Sequence, residues 1–149
     1  MELIIFIGSQ ASGKSTFFKQ YFSDTHLRLN LDMLKTRHRE KILFQACLEA
    51  KQRCVIDNTN PRKLDRETYI QQAKNIHFKV IAYYFDSCLE DVLARNELRE
   101  GKAKIPRVGV ISTFKKLEIP TFTEGFDEIY QVSINSENGF NIHLIEQRE

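Results

Sequence analysis

The sequence predicts a three-layer α/β domain with a mostly parallel central sheet of about five strands. Three observations predict it. Apolar runs of strand length alternate with segments of helical periodicity along the chain. The first run, Leu3–Ile7, is apolar at every position, as a central strand buried on both faces must be. It feeds directly into Gly8-Ser9-Gln10-Ala11-Ser12-Gly13-Lys14-Ser15-Thr16, a Gly-x-x-x-x-Gly-Lys-Ser loop that opens a helix.

Strand, loop and helix in that order are what a phosphate-binding P-loop requires. Gly8 and Gly13 let the backbone curl closely around an anion. The loop N–H groups and the first helical turn then face a triphosphate. Lys14 supplies a point charge for the β- and γ-phosphates, and the Ser15 hydroxyl is placed to coordinate Mg²⁺. The loop implies ATP·Mg²⁺ without saying what is done with it.

Beyond the loop, a helix is expected from about Lys14 to Ser23, then a short alternating strand over Leu27–Leu31. Asp32 stands where an N-cap belongs, and Ile42, Leu43, Ala46, Cys47 and Ala50 share one face of the helix that follows. Cys54–Ile56 is a short strand ending in Asp57-Asn58-Thr59-Asn60-Pro61, with Asn60 as cap and Pro61 in the first turn of the next helix. Phe78–Phe85 is rich in aromatic and β-branched residues and reads as a strand; Ser87 caps a helix after it. Residues 95–107 are charged and broken by Gly101 and Pro106, the composition of a mobile lid or of a solvated helix end. Val108–Leu117 restores helical periodicity, and Glu128–Ile134 alternates as the final strand.

The length of 149 residues suits one domain, 1–149, rather than two. With 42% hydrophobic and 28% charged residues the composition is that of a folded globule. A net charge of +2 neither demands nor excludes nucleic acid. Cys47, Cys54 and Cys88 show no paired spacing, which argues against a zinc site or disulfide framework and suits a reducing, cytoplasmic location. The apolar N-terminal run is too short for a membrane span.

Ligands of parallel α/β sheets bind beyond the carboxyl ends of the strands. The P-loop, Asp32 and the segment Asp57–Asn60 all sit at such ends and are expected to converge. Asp32 alone reads as a helix cap; beside a γ-phosphate it reads as the base that takes a proton from an attacking hydroxyl. Asp57 either holds Mg²⁺ or only turns the chain. Asn58 and Thr59 either belong to the same turn or orient Asp32 and the acceptor. Arg95 and Arg99 lie four apart, so both can reach a transferring phosphoryl group from the lid. The basic run beginning at Lys35 borders the acceptor side, which suits an anionic acceptor.

These segments together resemble the polynucleotide 5′-hydroxyl kinase family. The resemblance is carried by the P-loop, Asn30-Leu31-Asp32, Ile56-Asp57-Asn58-Thr59-Asn60-Pro61, the stretch from Arg95 to Pro106, and Pro120-Thr121-Phe122-Thr123-Glu124-Gly125-Phe126. It covers residues 3–132. It implies a P-loop kinase fold in which Asp32 is the general base, Lys14 and Ser15 hold ATP and Mg²⁺, Arg99 is the lid arginine with Arg95 as a second candidate, and a DNA or RNA 5′ end is the acceptor. Two positions depart from the family pattern. Leu31 stands where an arginine is common, and Lys35 replaces an arginine that touches nucleic-acid phosphate, keeping charge but not bidentate geometry. Two other readings share the scaffold: a kinase of small molecules or nucleotide sugars, of the zeta-toxin type, and a nucleotide-binding switch module.

Overall fold

A computed structural model describes residues 1–147. The elements run β1 Glu2–Ile7, α1 Lys14–Tyr21, β2 Leu27–Leu29, α2 Leu31–Leu34, α3 Arg37–Ala50, β3 Cys54–Ile56, α4 Lys63–Asn75, β4 Lys79–Phe85, α5 Leu89–Glu97, α6 Arg107–Lys116, β5 Glu128–Ile134 and β6 Phe140–Ile145. The sheet order is β2-β3-β1-β4-β5-β6. The first five strands pair in parallel, and β6 adds antiparallel to β5 at the edge. Among the described residues the sheet therefore has six strands, one more than the roughly five expected.

β1 is central because both of its faces are apolar. Leu3, Ile5 and Ile7 join a core with α3 and α4, containing Phe44, Leu48, Ile70 and Ala73. Ile4 and Phe6 face the opposite way, into Phe17, Phe18 and Phe22 of and just beyond α1. Phe6 and Phe17 meet edge to face at 5.8 Å. From β1 the chain runs out to β2 at the edge, returns to β3 between β2 and β1, then crosses to β4 on the other side of β1. That reversal leaves a crevice at the carboxyl ends beside the P-loop. Helices α5 and α6 pack on each other around Val92, Leu93 and Val110. Among the described residues, no helix is long and apolar enough to cross a membrane.

Several local expectations are corrected. Asn30, not Asp32, caps α2: its side chain accepts from the Met33 N–H at 3.1 Å, leaving Asp32 in the first turn. The buried face of α3 is Glu40, Phe44, Cys47 and Leu48, while Ile42 and Leu43 are exposed. Helix α4 begins at Lys63 with Arg62 as N-cap, because the Asn60 amide is already donating to the Phe6 carbonyl at 2.9 Å. Cys88, not Ser87, precedes α5. The final strand is β6, reached by a tight turn in which Asn135 N–H donates to Gly139 O and Asn138 takes φ +61°.

Candidate active site

A cleft of about 620 Å³ opens at the carboxyl ends of β1, β2 and β3. Lys14, Ser15, Asp32, Asp57, Asn58, Thr59 and Arg99 all line it, so segments far apart in sequence meet there.

The P-loop wall is made by backbone. Gly13 takes φ +96°, and a Cβ at Gly8 would lie 2.8 Å from the Phe85 Cβ, so both positions need glycine. Ser12 Oγ donates to Ser9 O at 2.7 Å and closes the loop on itself. Gln10 ties the loop to α6 by donating to Thr113 Oγ1 at 3.1 Å. The Lys14 ammonium folds back on the Gly8 and Ser9 carbonyls, at 3.0 and 2.7 Å. Desolvation of this amine lowers its pKa to about 8; Asp57 opposes the shift, Arg99 adds to it, and Asp32 opposes it. The charges of the three expected partners are thus felt at one amine.

The opposite wall is built from side chains. Asn30 Nδ2 donates to Asp57 O at 2.7 Å, tying the start of α2 to the end of β3. Asn58 Oδ1 accepts from the Leu31 N–H at 3.0 Å, and its Nδ2 donates to Glu40 Oε2 at 2.8 Å. The other oxygen of buried Glu40 accepts from the Tyr69 hydroxyl and from Arg37. Glu40 therefore fixes which way Asn58 points, and Asn58 fixes the backbone next to Asp32. Asp32 itself is exposed to the cleft.

Arg66 supports this wall from beneath. Its side chain is fully buried and forks onto the Glu124 carboxylate at 2.9 and 3.3 Å, while Nη1 donates to Glu118 O at 3.0 Å. Glu124 in turn accepts from the Thr121 N–H at 2.8 Å. The Pro-Thr-x-x-Glu-Gly-Phe segment is thus bound to the base of α4, just below Asp57–Asn60.

In the segment 95–107, Arg99, Lys102, Ala103 and Ile105 line the cleft. Buried Asn96 ties its two ends together, donating to Ile105 O at 2.6 Å and accepting from Ile105 N–H at 3.0 Å. Arg99 faces the cleft; Arg95 instead donates to Ala11 O at 3.2 Å on the outer flank of the P-loop. With Thr16, Ile134, Asn138 and Phe140, the two arginines line a second cavity of about 300 Å³. Lys35 takes φ +76° at the end of α2 and does not line the cleft; Arg37, Arg62 and Lys116 do.

Sequence spacing did not point to Arg28, Glu40 or Arg66, because their partners lie far along the chain. Arg28 Nε donates to Asp57 Oδ2 at 2.7 Å and Nη2 donates to Ser15 Oγ at 2.8 Å, joining the two expected metal residues. Ser15 and Asp57 are hard oxygen donors, the type that suits Mg²⁺.

A bifunctional polynucleotide phosphatase/kinase of Schizosaccharomyces pombe is 28% identical over 138 residues, and a putative bifunctional polynucleotide phosphatase/kinase of Acanthamoeba polyphaga mimivirus is 32% identical over 139. The chain is similar to polynucleotide phosphatase/kinases. The matches cover 88% and 89% of this chain but span about a third of each relative's length, 33% in both. No family model matches the sequence. Among solved structures, Chaetomium thermophilum Kti12, in complex with ADP-AlF3, superposes with a TM-score of 0.67 at 17% identity, over 91% of this chain and 92% of that one. The fold is that of the P-loop kinases.

Proposed function

We propose that this chain is a single P-loop kinase domain that transfers the γ-phosphate of ATP to the 5′-hydroxyl of a DNA or RNA end. The observation that carries the proposal is the meeting of Lys14, Asp32, Asp57 and Arg99 in one cleft. A nucleotide-binding switch has no need of a free carboxylate facing the γ-phosphate. The polynucleotide acceptor is supported by the names of the two relatives and by Arg37, Arg62 and Lys116 on the acceptor wall.

In this reading the amides of Gly8–Thr16 hold the phosphates. Lys14 leaves the Gly8 and Ser9 carbonyls to pair with them, and the nucleobase lies in the second cavity beside Arg95 and Asn138. Ser15 and Asp57 would hold Mg²⁺, whose charge would offset that of the phosphate oxygens. Asp32 accepts the proton of the attacking 5′-hydroxyl. Arg99 stabilises the charge on the transferring group. Asn58, Thr59 and the Glu40 carboxylate keep the Asp32 wall in place.

The test is a labelling experiment. The protein is incubated with Mg²⁺ and γ-labelled ATP against a panel of 5′-hydroxyl oligonucleotides, nucleosides and sugars. Label is expected on the 5′ ends of oligonucleotides. Label on a sugar or nucleoside with none on any oligonucleotide would replace this reading with that of a small-molecule kinase.

A further inference from the structure

Arg28 lies on β2, a strand at the sheet edge, and reaches inward toward α1 and the end of β3. Its guanidinium bonds to Asp57 and Ser15 at once, at 2.7 and 2.8 Å. Its Cζ also sits 5.7 Å from the Phe18 ring centroid. The two partners differ in exposure: the Asp57 side chain is 1% exposed and that of Arg28 24%. A buried carboxylate is thus matched by a cation that has an open route to solvent.

We propose that in the metal-free protein Arg28 is the counter-ion of Asp57 and the hydrogen-bond donor to Ser15, and that it is exchanged for the divalent cation when metal and nucleoside triphosphate enter. The inference rests on the reading of Ser15 and Asp57 as the metal-holding pair. Its physical basis is competition. A buried carboxylate needs a paired positive charge at all times. The Ser15 oxygen that accepts from Arg28 is the same oxygen a metal would use. A guanidinium and a dipositive ion a few ångströms apart repel each other strongly where water is scarce. Metal therefore has to displace Arg28, and the triphosphate's negative charge favours the exchange. Once released, Arg28 keeps its contact with Phe18 and reaches water, so its departure leaves no buried cation.

The exchange predicts that Arg28 opposes metal binding. Mn²⁺ serves as the probe, with free ion counted by electron paramagnetic resonance in the presence and absence of a non-hydrolysable ATP analogue. Arg28→Met should bind Mn²⁺ about tenfold more tightly than the wild type, the effect of losing one charge-assisted competitor. The gain should be larger without nucleotide than with it. Unchanged or weaker Mn²⁺ binding by folded Arg28→Met overturns the exchange and leaves Arg28 as a fixed brace. Asp57→Asn separates the two levels of the argument: it should weaken Mn²⁺ binding, and if it does not, the metal assignment itself falls. If Arg28→Met does not fold, Arg28→Gln decides. Glutamine keeps hydrogen-bonding groups without the charge, so tighter Mn²⁺ binding supports the exchange and equal or weaker binding overturns it.

Discussion

The two walls of the cleft are built on different principles. The P-loop wall is one continuous stretch, Gly8–Thr16, whose geometry is imposed by the backbone: two glycines, a short loop and a helix N-terminus. The opposite wall is assembled from five separated pieces. Asn30, Glu40, Asn58 and Arg66 join the ends of β2 and β3, α3, α4 and the segment before β5 through hydrogen bonds between distant residues. The difference teaches where each wall is vulnerable. In the proposed function, the first fails when a chemical group that meets phosphate is removed. The second fails when a supporting bond far from the chemistry is cut.

The largest effect is expected on the phosphate side. Arg99→Ala should lower kcat by up to about 10³–10⁵-fold, the range for an arginine that stabilises phosphoryl-transfer charge, with little change in ATP affinity. An unchanged kcat in steady-state assays would move that role to Arg95. On the other wall, Arg66→Ala should destabilise the fold by about 3–5 kcal/mol, because Glu124 is left as a buried carboxylate without its partner. Denaturant unfolding measures this, and a loss below about 1 kcal/mol would show that the buried pair does not hold the wall.

The walls should also differ in their response to pH. In the free protein the Lys14 pKa is about 8, below its ordinary 10.5, because burial disfavours the charged amine. Bound phosphate favours the charged form, so binding above that pH must take up a proton. Affinity for ATP should fall as pH rises above about 8, by up to about tenfold per unit. Folding stability responds with the opposite sign. Between about 8 and 10.5 the unfolded chain holds the extra proton, so this group makes the free protein more stable as pH rises. Lys14→Met should remove the pH-dependent part of nucleotide affinity measured by calorimetry; a slope that persists assigns the proton to another group.

The smallest effects belong to the rim. Arg37→Ala and Arg62→Ala should each weaken oligonucleotide binding several-fold and reduce the dependence of log affinity on log salt by about one. A salt titration that gives the wild-type slope for both variants would place the acceptor elsewhere.

The same contrast explains what the sequence made legible. The P-loop, β1, β3, β4 and β5 could be read locally because their signals are contiguous: two glycines at fixed spacing, apolar runs in β1, β3 and β4, and the alternation of β5. Asp32 and Asp57 could be placed in a common cleft because both follow strands of a parallel sheet. The face of α3 could not be read by hydrophobic periodicity, since Glu40 is buried by its bonds to Tyr69, Arg37 and Asn58. Arg66 and Arg28 were silent for the same reason: a charged residue looks solvated until its distant partner is known. Strand β6 did leave a signal. Asn138-Gly139 lies between two alternating runs, a hairpin mark that locates the extra edge strand. Its apolar Ile142 and Leu144 are exposed, so burial gave no second clue.

Asp32 is the group on which the proposed transfer to an acceptor turns. The direct measurement is single-turnover phosphoryl transfer by Asp32→Asn, with ATP affinity and unfolding measured on the same preparation. Asn keeps the size of Asp and much of its ability to bond at a helix start, but it cannot accept the hydroxyl proton. Turnover should fall by at least about a hundredfold, while ATP affinity and stability stay close to the wild type, since Asn30 already caps α2. Transfer at the wild-type rate by the folded variant would contradict the account.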